Sequence, residues 1–169
     1  ATAWSGTLTV SRRSGAAASD GTKGFFMGGT TTYSDSKNEI DYVTIATDAN
    51  ATDFGNLGTG RRHCSACGNT DRTLVAAGED SGGNRLASIE YINPASASNA
   101  SSFGNLVGGY YYGYAACSET KAVFSNGSHS SGYSQMMQIV TIANTGNASN
   151  WGNSGAASIG GAACSGAAS

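Results

Sequence analysis

The sequence predicts an all-β protein made of repeated units, each with four short antiparallel strands. Three observations support this fold class: residues recur in a frame of about 49 positions, the apolar runs within a frame have the length of strands, and the segments between them are rich in Gly, Asp, Asn and Ser. Charged residues form only 12% of the chain, and small residues with Thr and Asn fill most of the rest. This composition is typical of β-turns rather than of helices.

The repeat frame is defined by residues of one type at a constant spacing. Three leucines lie 49 residues apart, three basic residues keep that spacing, and three asparagines follow at 49 and 48 residues. These rows are Leu8, Leu57 and Leu106; Lys23, Arg72 and Lys121; and Asn50, Asn99 and Asn147. A single repeat domain therefore contains repeat 1 at 11–57, repeat 2 at 58–106 and repeat 3 at 107–154. Residues 1–10 supply the last strand of a preceding unit, and residues 155–169 supply the first strand of a fourth.

Each unit divides into four strands, which repeat 1 illustrates in order. The first strand is small and apolar at 16–18, and the second is a hydrophobic run at 25–29 that ends in two glycines. The third strand, at 40–45, alternates apolar and polar residues, which is the pattern of a half-buried strand. The fourth, at 54–57, carries an aromatic residue and a leucine. The aromatic position is filled in successive units by Trp4, Phe54, Phe103 and Trp151.

Four strands in a unit of about 50 residues describe one blade of a β-propeller. A single blade cannot bury both faces of its own sheet, so such units are stable only when several are stacked. The sequence therefore predicts an array of blades whose loops are exposed at two rims.

The second repeat carries the residues that resemble a known family. Its third strand reads SIEYINP at 88–94, and Phe103 follows at the aromatic position. This order, after a small first strand and a hydrophobic strand closing on Gly-Gly, resembles the kelch repeat. The Gly-Gly pair varies among the three repeats as Gly28-Gly29, Ala77-Gly78 and Asn126-Gly127. The resemblance implies a β-propeller, but three units and a fraction are too few to close the usual ring. A longer array, a ring shared by several chains and an open stack remain as alternatives.

The amino-acid sequence of the repeats shows a second resemblance. The segments IDYVTIAT at 40–47 and NATDFGNL at 50–57 resemble kelch-like arrays in bacteriophage structural and fibre proteins. This resemblance implies a virion or extracellular location. It also implies other virion or filament subunits as partners, in a homo-oligomer or a longer array.

Charge and hydropathy argue against two classes of partner. A formal net charge of −2 gives no electrostatic reason to expect nucleic acid or an anionic membrane surface. No apolar run approaches the roughly 18 residues that a membrane helix needs, and residues 1–10 lack the basic and hydrophobic regions of a signal peptide. We therefore expect a soluble chain that binds neither nucleic acid nor membrane.

Four cysteines raise the question of a metal site or a disulfide. Cys64 and Cys67 form C-x-x-C, and Cys117 and Cys164 follow later. Four thiolates can bind zinc, but the second close pair that such sites use is missing. Cys67, Cys117 and Cys164 fall near one place in successive first strands, where a propeller needs small buried residues along its central channel. Buried structural cysteine is the favoured interpretation, a disulfide is the alternative, and no metal is predicted.

Two histidines and the acids of the third strands are the remaining candidates for catalysis. Neither His63 nor His129 lies in a nucleophile motif, and the side chains of His63 and the cysteine beside it point to opposite faces of a strand. We interpret Glu39, Asp41 and Glu90 as a solvated polar face rather than as a glycosidase pair, which would have to converge from different blades. The sequence therefore predicts no catalytic residue, no cofactor and no enzyme.

Three sets of residues have both a structural and a binding interpretation. We interpret the basic row as a repeated turn contact or an ion pair between blades. The tyrosines that replace the arginines of the other repeats fit core packing as well as stacking on a sugar. The glycosylation sequons fit turns in which asparagine bonds its own backbone, without any glycan. The tyrosines are Tyr110, Tyr111, Tyr112 and Tyr114, and the sequons begin at Asn50, Asn99, Asn126 and Asn147.

The sequence as a whole favours a non-enzymatic structural or receptor-binding module of a bacteriophage virion, in a fibre or appendage. One alternative is an extracellular carbohydrate-binding propeller with a cell-surface glycan as its partner, which binding to a glycan array would identify. Another is a subunit of a self-assembling filament, because unclosed blades expose sheet edges that pair with other chains. An enzyme of the galactose-oxidase type would need a copper site that the two histidines do not visibly provide.

Overall fold

The computed structural model describes residues 6–125, 127–161 and 163. These residues contain no helix, and none of them could therefore cross a membrane as one. They form three four-stranded antiparallel sheets and one short hairpin. The first sheet contains β1 (Ala16–Ser19), β2 (Lys23–Met27), β3 (Glu39–Thr44) and β4 (Thr52–Asn56). The second contains β5 (Ser65–Gly68), β6 (Thr73–Ala76), β7 (Ser88–Ile92) and β8 (Ser101–Asn105). The third contains β9 (Tyr114–Cys117), β10 (Lys121–Ser125), β13 (Met136–Thr141) and β14 (Ser149–Asn153), and the hairpin consists of β11 (Ser128–His129) and β12 (Gly132–Tyr133).

The strands of each sheet follow one another as neighbours in chain order, with the hairpin inserted between β10 and β13. The predicted all-β class and the four antiparallel strands per repeat are confirmed. The sheets also share a detail of register, because a bulge interrupts the pairing of the last two strands at the same place in each sheet. Among the described residues the three sheets do not close into a ring. Trp4, Asn126 and Cys164 lie outside the described residues, and 155–161 form bends and irregular backbone rather than a strand.

The sheets are stacked, and an apolar core fills each of the two spaces between them. Phe25 and Phe54 of the first sheet pack edge to face at 5.2 Å and meet Val75 and Ile92 of the second. On the other side of the second sheet, the core contains residues of the second and third sheets. The residues of this second core include Leu74, Ile89, Phe103, Phe124 and Val140. Because successive side chains of a strand point to opposite faces, the middle sheet contributes to both cores, and all four residues of β6 are buried.

Buried polar side chains connect each of the first two sheets to the segment that enters it. Arg61 is completely buried, where it pairs with Glu90 and donates to the carbonyl oxygens of Ala77 and Ser88 at 3.1 and 3.0 Å. Arg12 and Asp41 make the equivalent pair in the first sheet at 3.0 Å. The third sheet has the neutral residues Tyr110 and Gln138 in these places, also buried.

The interpretation of the third-strand acids as a solvated face is wrong for two of them. Asp41 is fully buried and Glu90 is only 7% exposed, because each accepts hydrogen bonds from both its arginine and the preceding linker. Glu39 is partly exposed. Strand alternation placed all three acids on polar positions, but the entering linker and its arginine cover Asp41 and Glu90.

We expect Arg61→Met to lower the free energy of unfolding by about 3–5 kcal/mol, because it leaves the Glu90 carboxylate buried without its cation. Chemical denaturation of the purified chain would measure the loss. Lys37→Met is the control, since Lys37 and Asp35 are partly exposed, and its cost should stay within about 1 kcal/mol. Arg61→Tyr with Glu90→Gln, which copies the third sheet, should recover part of the lost stability. Equal costs for Arg61→Met and Lys37→Met would contradict this account.

Candidate assembly interface

The asparagine row joins each sheet to the one before it. The Asn99 Oδ1 accepts a hydrogen bond from the Asn56 amide at 2.9 Å, and the Ala100 amide donates to the Asn56 carbonyl at 2.8 Å. Asn147 repeats the first contact on the Asn105 amide at 2.9 Å, and Asn50 repeats it on Thr7 at 3.1 Å. The prediction that these asparagines bond their own turns is therefore wrong. They bond the end of the preceding unit instead.

A glycine in the last strand allows these contacts. A Cβ atom on Gly55 would overlap the carbonyl oxygen of Ser98, in the loop of the next unit that carries Asn99. A Cβ on Gly104 would overlap the carbonyl oxygen of Gly146 in the same way. Any larger residue at these positions would push the following sheet away. The sequence pattern aromatic-Gly-Asn thus reflects the close contact with the next unit.

The basic row also spans the sheets. The Lys23 ammonium donates to the carbonyl oxygen of Pro94 at 2.7 Å, and the Arg72 guanidinium donates to that of Ile142 at 2.9 Å. Each cation also lies over a tyrosine ring of its own sheet, 4.6 Å from the ring centre for Arg72. The predicted contact between units is present, but it is a hydrogen bond to backbone rather than an ion pair. In the third sheet, Lys121 bonds Thr141 of its own sheet.

His63 belongs to a third row of contacts between units. Ser14, His63 and Tyr112 have positive φ angles of 58°, 54° and 60°. The His63 amide donates to the Ser14 carbonyl at 2.7 Å, and the Tyr112 amide donates to the His63 carbonyl at 3.0 Å. The ladder continues beyond the third sheet, where the Gly160 amide donates to Tyr112 at 3.1 Å. Burial and the Arg62 guanidinium lower the pKa of His63, so its ring is neutral at physiological pH.

The outer side of the third sheet carries apolar residues, most of whose equivalents in the other sheets are buried. We call it the end face, and it consists of Val123, Met137, Ile139 and Trp151. Trp151 is 58% exposed, whereas Phe54 and Phe103 at the same position of the repeat are 3% exposed. The other three residues of the end face are partly exposed. Their equivalents in the first two sheets are Phe25 and Leu74, Ile40 and Ile89, and Tyr42 and Tyr91.

The backbone of the end face is open as well. Gly152 corresponds to Gly55 and Gly104, but a Cβ atom there would meet only the end of the Met137 side chain, at 3.9 Å. The contact surfaces that join one sheet to the next are therefore present on the third sheet, and no sheet formed by the described residues packs on them.

The opposite end of the stack has a corresponding apolar surface. We call it the start face, and it consists of Ala17, Phe26 and Val43 of the first sheet. Phe26 and Val43 are partly exposed, whereas Val75 and Ile92 in their places on the second sheet are 1% and 2% exposed. A cleft of about 150 Å³ opens beside Ala17 and Phe26. Residues 6–10 lie beside this face, and the Thr7 amide donates a hydrogen bond to the side-chain oxygen of Asn50.

The C-x-x-C cysteines belong to two different cores. Cys64 faces the core between the first and second sheets, where its thiol donates to the Met27 carbonyl, and Cys67 faces the core between the second and third sheets. Burial raises the pKa of Cys64 to about 11. No group of three potential metal ligands occurs in the described part of the chain. The buried structural role predicted for Cys64 and Cys67 agrees with their placement.

Aromatic rings and cations cluster at one rim of the stack. The His63 and Tyr112 rings are 4.0 Å apart, Tyr111 lies 4.8 Å from Tyr112, and the Arg85 guanidinium lies over Tyr111. A hydrogen bond with Arg85 lowers the pKa of Tyr111. Tyr110, in contrast, is buried in the core, so the tyrosine run divides between packing and surface. His129 stacks edge to face on Tyr110 at 5.8 Å.

Comparison of the chain with protein-family models finds no match, and comparison with curated proteins finds no significant relative.

Gly55→Ala and Gly152→Ala form a matched pair, because the two glycines have φ angles of 144° and 148° and differ in what lies beside them. We expect Gly55→Ala to cost about 1–3 kcal/mol more, since only there does the new methyl group force two sheets apart. Urea denaturation of both variants would measure the difference. Equal losses would show that the backbone angle alone requires glycine and that the sheet contact contributes nothing.

Proposed function

We propose that this chain is a non-enzymatic structural module, a segment of a longer kelch-like β-propeller array in a bacteriophage fibre or appendage. The observation that supports this proposal is the end face, where the third sheet presents an uncovered copy of the surface that joins the other sheets. In the proposed array a further sheet of the same repeat covers it.

The physical argument is that the end face is costly to leave in water. Covering a large aromatic side chain such as Trp151 contributes about 2 kcal/mol, and three more apolar side chains lie around it. The polar groups of the interface are retained as well, because Gly152 leaves room for an incoming loop and the Lys121 ammonium bonds Thr141 of its own sheet, whereas Lys23 and Arg72 bond the next sheet. An incoming sheet would offer an Asn-Ala pair to Asn153, as Asn99 and Ala100 offer it to Asn56.

The same contacts argue against catalysis by the residues that the sequence offered. Asp41 and Glu90 hold their sheets to the preceding linkers, and the His63 backbone continues a ladder of hydrogen bonds. The burial of the two carboxylates shields them from a substrate. The assignment to a kelch-like array and to a virion is supported by the resemblance in the amino-acid sequence of the repeats.

The test is to supply the missing sheet. Residues 162–169 are replaced by a copy of 65–106, which continues the repeat from Gly161, in a Trp4→Phe background that leaves Trp151 as the only tryptophan. We expect the Trp151 emission to move to shorter wavelength and its quenching by iodide to fall several-fold, because the added sheet removes the indole from water.

The control variant is Gly152→Ala in the extended chain. The methyl group has room in the original chain but would meet the loop of the added sheet, so it should restore the exposure of Trp151. Trp151 that stays fully quenchable in the extended chain would overturn the proposal. Concentration-dependent association of the original chain, lost in Trp151→Glu but not in Tyr33→Glu, would instead identify a second copy as the partner and favour a self-assembling filament. Tyr33 is 91% exposed and lies outside both faces, which makes it the matched control.

The ring cluster at the rim favours a second candidate function, carbohydrate binding. Tyr112 is 36% exposed and could stack on a sugar, and Arg85 beside Tyr111 could bond a hydroxyl group. This candidate is the weaker one, because these rings already pack against one another and against a cation. Binding of the chain to immobilised glycans would favour it, and no binding would dispose of it.

A further inference from the structure

Two cysteines from different sheets meet at the interface between the second and third sheets. Cys67 lies in β5 and Cys117 in β9, and these first strands pack side by side although they belong to separate sheets. Cys117 lies close enough to Cys67 to raise the pKa of the Cys67 thiol, and the Cys117 thiol donates to the carbonyl oxygen of Gly68, the residue that follows Cys67, at 3.0 Å. Cys67 is 4% exposed in the core of this interface, with Cys117 packed against it at the border.

We propose that Cys67 and Cys117 form a reversible disulfide that locks the second sheet to the third when a small-molecule disulfide acts as the oxidant. A disulfide needs two sulfur atoms that can approach without backbone movement, and the contact of the Cys117 thiol with the backbone next to Cys67 places the two side chains together at this interface. The bridge would link strands that share no backbone ladder.

The exchange takes place in two steps. The partly exposed Cys117 thiolate attacks one sulfur of the oxidant, which forms a mixed disulfide and releases the other half as a thiolate. The Cys67 thiolate then attacks the Cys117 sulfur and releases the second half. Two cysteine thiols are thereby oxidised and lose their protons, and the oxidant disulfide is reduced to two thiols that take up those protons.

The surroundings of the three described cysteines favour the Cys67–Cys117 pair over a pair that includes Cys64. Cys64 belongs to the other core, where its thiol donates to Met27. The adjacent Cys117 side chain and burial both raise the pKa of Cys67, so only a small fraction of this thiol is ionised near neutral pH. Because exchange requires the thiolate, we expect the bridge to form faster as the pH rises.

The test uses oxidised glutathione at mildly alkaline pH, followed by alkylation of the remaining thiols, tryptic digestion without reductant and mass spectrometry. We expect the chain to lose the mass of two hydrogen atoms and to yield one linked pair of peptides, 63–72 with 86–121. Since the bridge closes a loop of about 50 residues, the melting temperature should rise by on the order of 10 °C and return on reduction.

The repeat supplies conservative control variants. Ala18 and Ala116 occupy the position of Cys67, and Ser19 occupies that of Cys117. Cys67→Ala and Cys117→Ser should each abolish the linked peptides and the rise in melting temperature, while their reduced forms melt close to the original chain. Cys64→Ala should leave both effects intact, which also assigns the bridge within 63–72. A stable glutathione adduct on Cys117, or a bridge from Cys64 or Cys164, would overturn the proposal.

Discussion

The structure depends on one constraint, which is that each sheet has two apolar faces and only four short strands. Leu74 and Val75 are neighbours in β6 and point to opposite faces, yet both are at most 1% exposed. A sheet of this kind cannot be stable in water by itself, because the hydrophobic surface of both faces would stay exposed to water. Stacking removes that surface for the middle sheet on both sides, whereas the first and third sheets each keep one face on which no other sheet of residues 6–161 packs. The glycines and asparagines at the sheet ends follow from this requirement for close stacking.

Close stacking also determines where charged groups lie. The linkers between units pass through the interface, so their amide groups lose water and need acceptors within the protein. Glu90 accepts from the Gly58 amide at 2.6 Å, and Gln138 accepts from the Val107 amide at the same distance. A carboxylate in such a place also needs a cation, which Arg61 supplies, while the glutamine of the third sheet needs none. The acids that alternation assigned to solvent are thus part of the connection between units.

The amino-acid sequence predicts what a single repeat determines and little of what depends on two repeats together. Spacing and alternation were enough to place the strands, because these patterns are local. The partners of Asn99, Glu90 and Cys67 depend on the position of one sheet relative to the next. A local sequence pattern does not determine that position. The recurrence of aromatic-Gly-Asn was a signal of a close contact. A glycine beside a buried ring has no side chain to pack, so its repetition indicates that another segment approaches the backbone there. The exposure of Trp151 could be inferred only after the burial of its equivalents was known.

Hydrogen exchange measured by mass spectrometry tests most directly whether stacking, rather than the strands themselves, stabilises this protein. β8 and β14 are equivalent last strands with similar sequences, and within the described part of the chain a following unit covers β8 but not β14. The account predicts that amides of β14 exchange at least about tenfold faster than those of β8, because local opening there disrupts fewer contacts. Equal protection of the two strands would contradict it and would show that each sheet is stable without a neighbour.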